Sequence, residues 1–89
     1  MLSPFYTNQF KKDFQLQEKR GKDIALLKEI ITLLVSEKKL VPQYRDHPLK
    51  GSFKNFRECH IQSDWLLIYK VEGNNIYFTR TGTHSDLFK

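Results

Sequence analysis

The 89-residue sequence lacks most of the features that mark secreted, membrane or cysteine-based proteins. Cys59 is the only cysteine, so an internal disulfide and a cysteine zinc site are both excluded. No apolar run approaches the roughly 20 residues of a membrane span. The opening stretch MLSPFYTNQFKKDF lacks the charged start and apolar centre of a signal peptide. There is no glycine-rich phosphate loop either. We therefore expect a cytoplasmic protein that makes no membrane contact.

The chain has a surplus of positive charge. Fifteen lysines and arginines stand against ten acidic residues, which leaves a formal net charge of +5. A surplus of this size on a small surface favours a polyanionic partner, such as nucleic acid, a ribosome or an acidic protein. The length allows one modest core, so we predict a single domain over residues 1–89.

The pattern along the chain predicts an α+β fold with the order strand, two helices, then an antiparallel sheet. Thr7 can cap the first helix, the KRGK stretch at 19–22 breaks it, and apolar residues at helical spacing mark the second. Three stretches rich in aromatic and branched residues, joined by short turns, read as a meander. The predicted strands are Leu2–Tyr6, Phe56–Ile61, Asp64–Val71 and Ile76–Thr81, and the loop between the helices and the meander spans Val41–Gly51.

The short turns also predict which side chains share a face of the sheet. A two-residue turn at Gln62 and Ser63 places His60 opposite Trp65, and an even-numbered loop after Val71 pairs Leu67 with Arg80. Since side chains alternate between faces, one face is predicted to hold five residues: Glu58, His60, Trp65, Leu67 and Arg80.

Five polar side chains are expected to meet at one end of this sheet: His47, His60, Asp64, Arg80 and His84. RNA cleavage without a metal needs a base for the ribose 2′-hydroxyl, an acid for the departing 5′-oxygen and a cation on the phosphorane. Histidine suits both proton transfers and arginine suits the phosphate, while an aspartate can orient a histidine. The pattern therefore favours a metal-independent ribonuclease.

Other residues are candidates for RNA binding. Trp65 or Phe88 could stack on a splayed base. Lys50, in the loop Val41–Gly51, adds positive charge that attracts the RNA backbone. The simpler interpretations are that Trp65 belongs to the core, that Arg80 pairs with Glu58, and that the Lys11–Asp13 run is a solvated helix face.

Metal binding is the competing chemistry. Zinc could in principle be held by His47, His60, Asp64 and His84, but these residues form no compact helical pair, and the net charge disfavours a cation. We predict no metal and no other cofactor.

The stretch Tyr44–Phe88 resembles the RelE/ParE superfamily of bacterial toxins, and most closely its YafQ branch of messenger-RNA interferases. The elements that carry the resemblance are DHPLKG, RECH, DWLLIYK and RTGTHSDLF. It implies a strand–helix–helix–sheet fold and an endoribonuclease that cuts mRNA, commonly in the ribosomal A site, leaves a 2′,3′-cyclic phosphate and needs no metal. It also implies a cognate antitoxin that silences the toxin, with operator DNA bound only through the toxin–antitoxin complex.

The resemblance assigns roles by position. His84 corresponds to the general acid, and His60 or His47 to the base. Asp64 would orient or assist, and Arg80 would bind the scissile phosphate. The remaining matches are Phe88, which would position a base, and Trp65, whose role is open. Two alternatives stand beside this reading: a ParE-like toxin that poisons DNA gyrase without cutting RNA, and a non-catalytic RNA-binding domain.

Overall fold

The computed structural model describes residues 1–88, and its element order confirms the predicted α+β fold. The chain forms the following elements in sequence: β1 (Ser3–Tyr6), α1 (Asn8–Lys19), α2 (Ile24–Val35), β2 (His47–Pro48), β3 (Arg57–Gln62), β4 (Trp65–Glu72), β5 (Asn75–Gly82) and α3 (His84–Leu87). Two short 3₁₀ helices, Pro42–Tyr44 and Gly51–Phe53, lie on either side of β2. None of the helices in this part of the chain is long and apolar enough to cross a membrane.

Both long helices begin at a side-chain cap, and the first of these is the predicted cap Thr7. The Thr7 hydroxyl accepts a hydrogen bond from the backbone N–H of Phe10, and the Asp23 carboxylate accepts one from Leu26. Each cap satisfies one of the free N–H groups of the first turn. Gly21, with φ at +79°, reverses the chain between the helices in a conformation that favours glycine.

The five strands form one sheet in the order β1-β5-β4-β3-β2. The β1 strand pairs in parallel with β5, and the remaining neighbours are antiparallel. As a result β5, which leads into α3, lies between β1 and β4.

The sheet carries a core on each face. The larger one packs α1 and α2 against the sheet and contains Trp65, Leu67 and Phe78. The smaller one, on the opposite face, is built by Leu66, Ile68 and Leu87, with partly buried phenylalanines packed against it. The face without the two long helices is therefore covered only in part, which leaves room for polar groups. We call it the open face of the sheet.

The observed register differs from the prediction in both hairpins. Ser63 and Asp64 form the first turn, and a bulge at Ile61 places His60 opposite Leu66 rather than Trp65. The second hairpin begins as predicted, but a bulge at Thr79 shifts the pairing so that Arg80 faces Ile68. A one-residue slip moves side chains to the other face.

Two of the five residues predicted to share a face were therefore placed wrongly. Trp65 and Leu67 lie in the helix-side core. The other three, Glu58, His60 and Arg80, do share the open face, as their pairing with Ile68 and Leu66 requires.

Candidate active site

The central loop is folded onto the sheet edge by Asp46, which fixes the position of its neighbour His47. The Asp46 carboxylate accepts hydrogen bonds from the Tyr69 hydroxyl at 2.6 Å and from Nε of Arg57 at 3.2 Å. Burial and this carboxylate raise the pKa of Tyr69, so the phenol stays a donor. The anchored loop then pairs His47 with Glu58 across β2 and β3.

Glu58 lies between two imidazoles. Its Oε2 atom is 3.0 Å from Nε2 of His47 and 3.5 Å from Nε2 of His60. The carboxylate is buried, with 6% of the residue exposed. We call His47, Glu58 and His60 the histidine–glutamate cluster.

The contact between His47 and Glu58 requires a proton. The Nδ1 atom of His47 is 3.1 Å from the Pro48 carbonyl, which can only accept, so Nδ1 carries hydrogen. Nε2 then faces a carboxylate oxygen at hydrogen-bond distance, and one of these two atoms must be protonated. The cluster thus places one carboxylate between two imidazoles, which are groups that can exchange protons with a substrate.

His84 is held by Asp64 through two contacts. The Asp64 Oδ1 atom accepts a hydrogen bond from the His84 backbone N–H at 3.0 Å and lies 2.7 Å from the ring Nδ1. These bonds lower the pKa of the Asp64 carboxyl, which keeps it ionised. Because an ionised carboxylate can only accept, Nδ1 carries the shared proton and Nε2 is left for another partner.

The three imidazoles lie together at one end of the open face. Ring centroids are 6.1 Å apart for His47 and His60, and 5.9 Å apart for His60 and His84. Phe88 packs edge-on against Phe53 at 5.4 Å and lies 6.4 Å from the His84 ring. Its ring is 38% exposed, so an aromatic surface borders the imidazoles.

A short helix positions His84 and Phe88. The first turn of α3 is closed by a capping box in which Thr83 and Asp86 bond each other's backbone N–H. Arg20, at the end of α1, grips the same Asp86 carboxylate at 2.7 and 3.2 Å and thereby lowers its pKa. At Gly82 a Cβ atom would lie 2.9 Å from the Asp86 carboxylate, so this position needs glycine.

Arg80 lies on the same face as the imidazoles, across the sheet from Glu58. Both residues are paired with Ile68, on opposite sides of β4, which separates their backbones by about 10 Å. The guanidinium is bound by Asp13 of α1, with Nε 2.7 Å from Oδ2. The simpler interpretation in which Arg80 pairs with Glu58 is therefore wrong.

The two other predicted RNA contacts, Trp65 and Lys50, differ in their exposure. Trp65 is fully buried, and its indole N–H donates to the Thr81 hydroxyl at 2.9 Å, so its ring cannot stack on a base. The prediction that Trp65 stacks on an RNA base is wrong. The bulge at Ile61 shifts the register of the hairpin, and Trp65 lies in the helix-side core instead. Lys50 is exposed between Leu49 and the second 3₁₀ helix and remains a candidate for a backbone contact.

A cavity of about 450 Å³ adjoins the histidine–glutamate cluster. His60 forms one wall, and the first 3₁₀ helix with the end of β3 forms the others. The remaining lining residues are Gln43, Tyr44, Arg45, Ile61, Gln62 and Ser63. The cavity is therefore lined by amide and guanidinium side chains beside the His60 imidazole.

The histidine–glutamate cluster is also a possible metal-ligand set. Its three donor atoms lie within 4.8 Å of one another. Two imidazole nitrogens and a carboxylate oxygen suit zinc or copper. The metal ligands considered from the sequence are His47, His60, Asp64 and His84, so the structure replaces Asp64 and His84 by Glu58 in this set.

Three carboxylates that organise the site have no predicted site role: Asp13, Asp46 and Glu58. Of these, only Glu58 is predicted to share a face with His60. Asp13 was assigned to a solvated helix face, yet it is 7% exposed. Its helical spacing from Phe10 and Gln17, which are also buried, is the signal that could have identified it.

Residues 2–89 match the family model described as a bacterial toxin of type II toxin-antitoxin system, YafQ. The chain is 46% identical over 84 residues to the mRNA interferase toxin YafQ of Escherichia coli strain K12, across 93% of this chain and 91% of that protein. The crystal structure of the E. coli DinJ-YafQ complex matches with a TM-score of 0.93 at 43% identity and covers all of both chains. A copper-bound mutant toxin from Helicobacter pylori matches with a TM-score of 0.94 at 42% identity, over 99% of this chain and 100% of that one.

Proposed function

The chain belongs to the YafQ family of type II toxins, and from this premise we propose that it is an mRNA interferase that cuts RNA by metal-independent acid–base catalysis. The observation that carries the proposal is the meeting of three imidazoles with two carboxylates on the sheet face that also holds Arg80. A toxin that only binds its target has no need of this arrangement. Residues 1–89 form the single domain that carries the activity.

His84 is the general acid. Asp64 occupies Nδ1, so Nε2 can carry a proton to the 5′-oxygen as it leaves. Asp64 itself stays ionised, because the hydrogen bonds from His84 lower its pKa. It orients the ring and balances the charge of the imidazolium.

The histidine–glutamate cluster supplies the base. The ribose 2′-hydroxyl gives its proton to the unprotonated ring nitrogen of His60 or His47, and Glu58 beside both rings balances the charge of the imidazolium that forms. The freed oxygen attacks the adjacent phosphorus, and the 5′-oxygen departs with the proton from His84. The products are a 2′,3′-cyclic phosphate and a 5′-hydroxyl.

Arg80 stabilises the phosphorane, since a guanidinium matches phosphate oxygens with two parallel hydrogen bonds. Phe88, exposed beside His84, stacks on the base next to the cut. Lys50 and the basic surface bind the backbone electrostatically.

The same basic surface serves two macromolecular partners. The related YafQ forms a complex with DinJ, and we propose that this chain likewise binds a cognate antitoxin and reaches operator DNA only as part of that complex. Its mRNA is cut in the A site of the ribosome, in the cytoplasm. No cofactor takes part in the proposed steps.

The test is cleavage of a labelled RNA with and without ribosomes. We expect new 5′-hydroxyl and 2′,3′-cyclic phosphate ends that persist in a chelator, and we expect a single 2′-deoxy substitution at the cut site to block cleavage. His84→Ala should abolish most of the activity. Ser85→Ala, which changes the exposed neighbour on the same helix, is the matched control.

Two results would contradict the proposal. If His84→Ala arrests growth as strongly as the parent and no RNA ends appear, a binding toxin is indicated, and a gyrase supercoiling assay then tests the ParE-like alternative. If cleavage survives the 2′-deoxy substitution, attack by the 2′-hydroxyl is wrong.

A further inference from the structure

Arg80 lies on β5 just beyond the residues that pair with the edge strand β1. The β1 strand pairs with β5 only from Asn75 to Phe78, and Thr7 adds contacts to Phe78 and Thr79 before the chain turns into α1. Beyond this point the backbone of β5 faces α1 instead of a strand. A free N–H at such an edge needs another acceptor.

The Asp13 carboxylate fills this gap. Its Oδ2 atom accepts the backbone N–H of Thr81 at 3.2 Å and Nε of Arg80 at 2.7 Å, while Oδ1 accepts the Gln9 amide at 3.0 Å. The side chain of Asp13 is 8% exposed and that of Arg80 is 30% exposed. Donors from three residues, Gln9, Arg80 and Thr81, thus fix the carboxylate, and the carboxylate in turn fixes the guanidinium.

We propose that Asp13 is a positioning residue for the RNA-cleavage reaction, which it serves by holding Arg80 in the orientation that receives the scissile phosphate. The inference rests on the proposed function. Asp13 engages Nε and one side of Nη2, the latter at 3.4 Å. Arginine has five N–H donors, so Nη1 and the far side of Nη2 remain as a fork for phosphate oxygens.

The geometry explains why a buried carboxylate beside the arginine helps rather than hinders phosphate binding. An unrestrained arginine side chain loses rotamer freedom when it binds a ligand. Asp13 has already restricted that freedom, and it neutralises the guanidinium where the protein buries it. The transition state then meets a preorganised donor pair.

The experiment compares the steady-state kinetics of RNA cleavage by the parent, Asp13→Asn and Asp13→Glu. The amide removes the charge, and the longer carboxylate keeps it in the wrong place. We expect each variant to lose about 10- to 100-fold in kcat, the range seen when a supporting residue behind a ligand is removed, with KM changed less than about threefold. Glu18→Gln, an exposed carboxylate on the same helix, should leave the rate unchanged.

A double-mutant cycle separates positioning from a general effect on folding. In an Arg80→Ala background, Asp13→Asn should change kcat by less than about twofold, because its effect passes through the missing guanidinium. The NMR signal of the Arg80 Nε–H gives an independent reading of the geometry. It should exchange slowly in the parent and rapidly in Asp13→Asn.

Each outcome decides the matter. If the losses of Asp13→Asn and Arg80→Ala multiply, or if Asp13→Asn cuts RNA like the parent, the inference is wrong while the proposed function stands. If the parent itself cuts no RNA, the proposed function fails and the inference falls with it. Should Asp13→Asn fail to fold, the decision moves to Asp13→Glu, assayed alone and in the Arg80→Ala background.

Discussion

Replacement of Trp65 by phenylalanine distinguishes a buried support from an RNA contact. The indole is fully buried, and its N–H donates to the Thr81 hydroxyl, which in turn donates to the Leu66 carbonyl at 2.8 Å. Phenylalanine keeps most of the apolar volume, but it removes this donor and leaves a small cavity.

The expected cost follows from these two losses. The hydrogen bond contributes about 1 kcal/mol, and the cavity left by the smaller ring about 1–2 kcal/mol. For an 89-residue domain, an unfolding entropy of about 2.1 cal/mol/K per residue converts 1 kcal/mol into about 5 °C. We therefore expect Trp65→Phe to lower Tm by about 10–15 °C.

The assay pairs thermal unfolding with RNA binding and cleavage well below the lower Tm. Since the ring faces the helix-side core, RNA affinity per folded molecule should match that of the parent. Phe88→Ala, at the exposed ring beside His84, is the comparison and should weaken RNA binding with little change in Tm. A Trp65→Phe variant that keeps its Tm but binds RNA more weakly would refute the burial argument.

Three further predictions concern single side chains. Asp64→Asn should slow RNA cleavage about 100-fold in single-turnover assays, because the His84 ring loses the ionised partner that orients it; an unchanged rate would remove Asp64 from the mechanism. The pKa of Asp86 is lowered in the folded state, chiefly by Arg20, so its contribution to stability is present above about pH 4 and is lost as pH falls through the folded pKa. The difference in Tm between the parent and Asp86→Asn should therefore shrink in acid. A difference that grows in acid would contradict the ion pair. Both polar atoms of the Gln17 side chain are buried with no hydrogen-bond partner among residues 1–88, so Gln17→Met should raise Tm by about 5 °C, whereas a drop would reveal a partner.

Local signals predicted the two long helices and the three long strands. Apolar spacing and the cap at Thr7 indicated the helices, and the short turns indicated the meander. The short strand β2 lies in the stretch predicted as a loop, and the short helix α3 was not predicted. These signals depend on neighbours within a few residues, which the sequence displays directly. The gathering of His47, His60 and His84 also followed, since it depends only on which end of the sheet each one occupies.

The contacts that organise the site depend on distances that the sequence does not display. Single-residue bulges at Ile61 and Thr79 decide which face Trp65 and Arg80 occupy, and both faces of the sheet are apolar enough to hide the shift. The partner of Arg80 comes from a helix 67 residues away, and no local rule pairs it with Asp13.

The parallel pairing of β1 with β5 also dictates the sequence of events during folding. The meander needs only short loops to close, whereas the Thr7 hydroxyl must find the Thr79 carbonyl across 72 residues, at a greater cost in chain entropy. We expect the meander to form first and the amino-terminal strand and helix to dock last. On the proposed mechanism, a chain in which only the meander has formed has no restraint on the Arg80 guanidinium, so we expect full RNA cleavage only after the amino-terminal elements have docked.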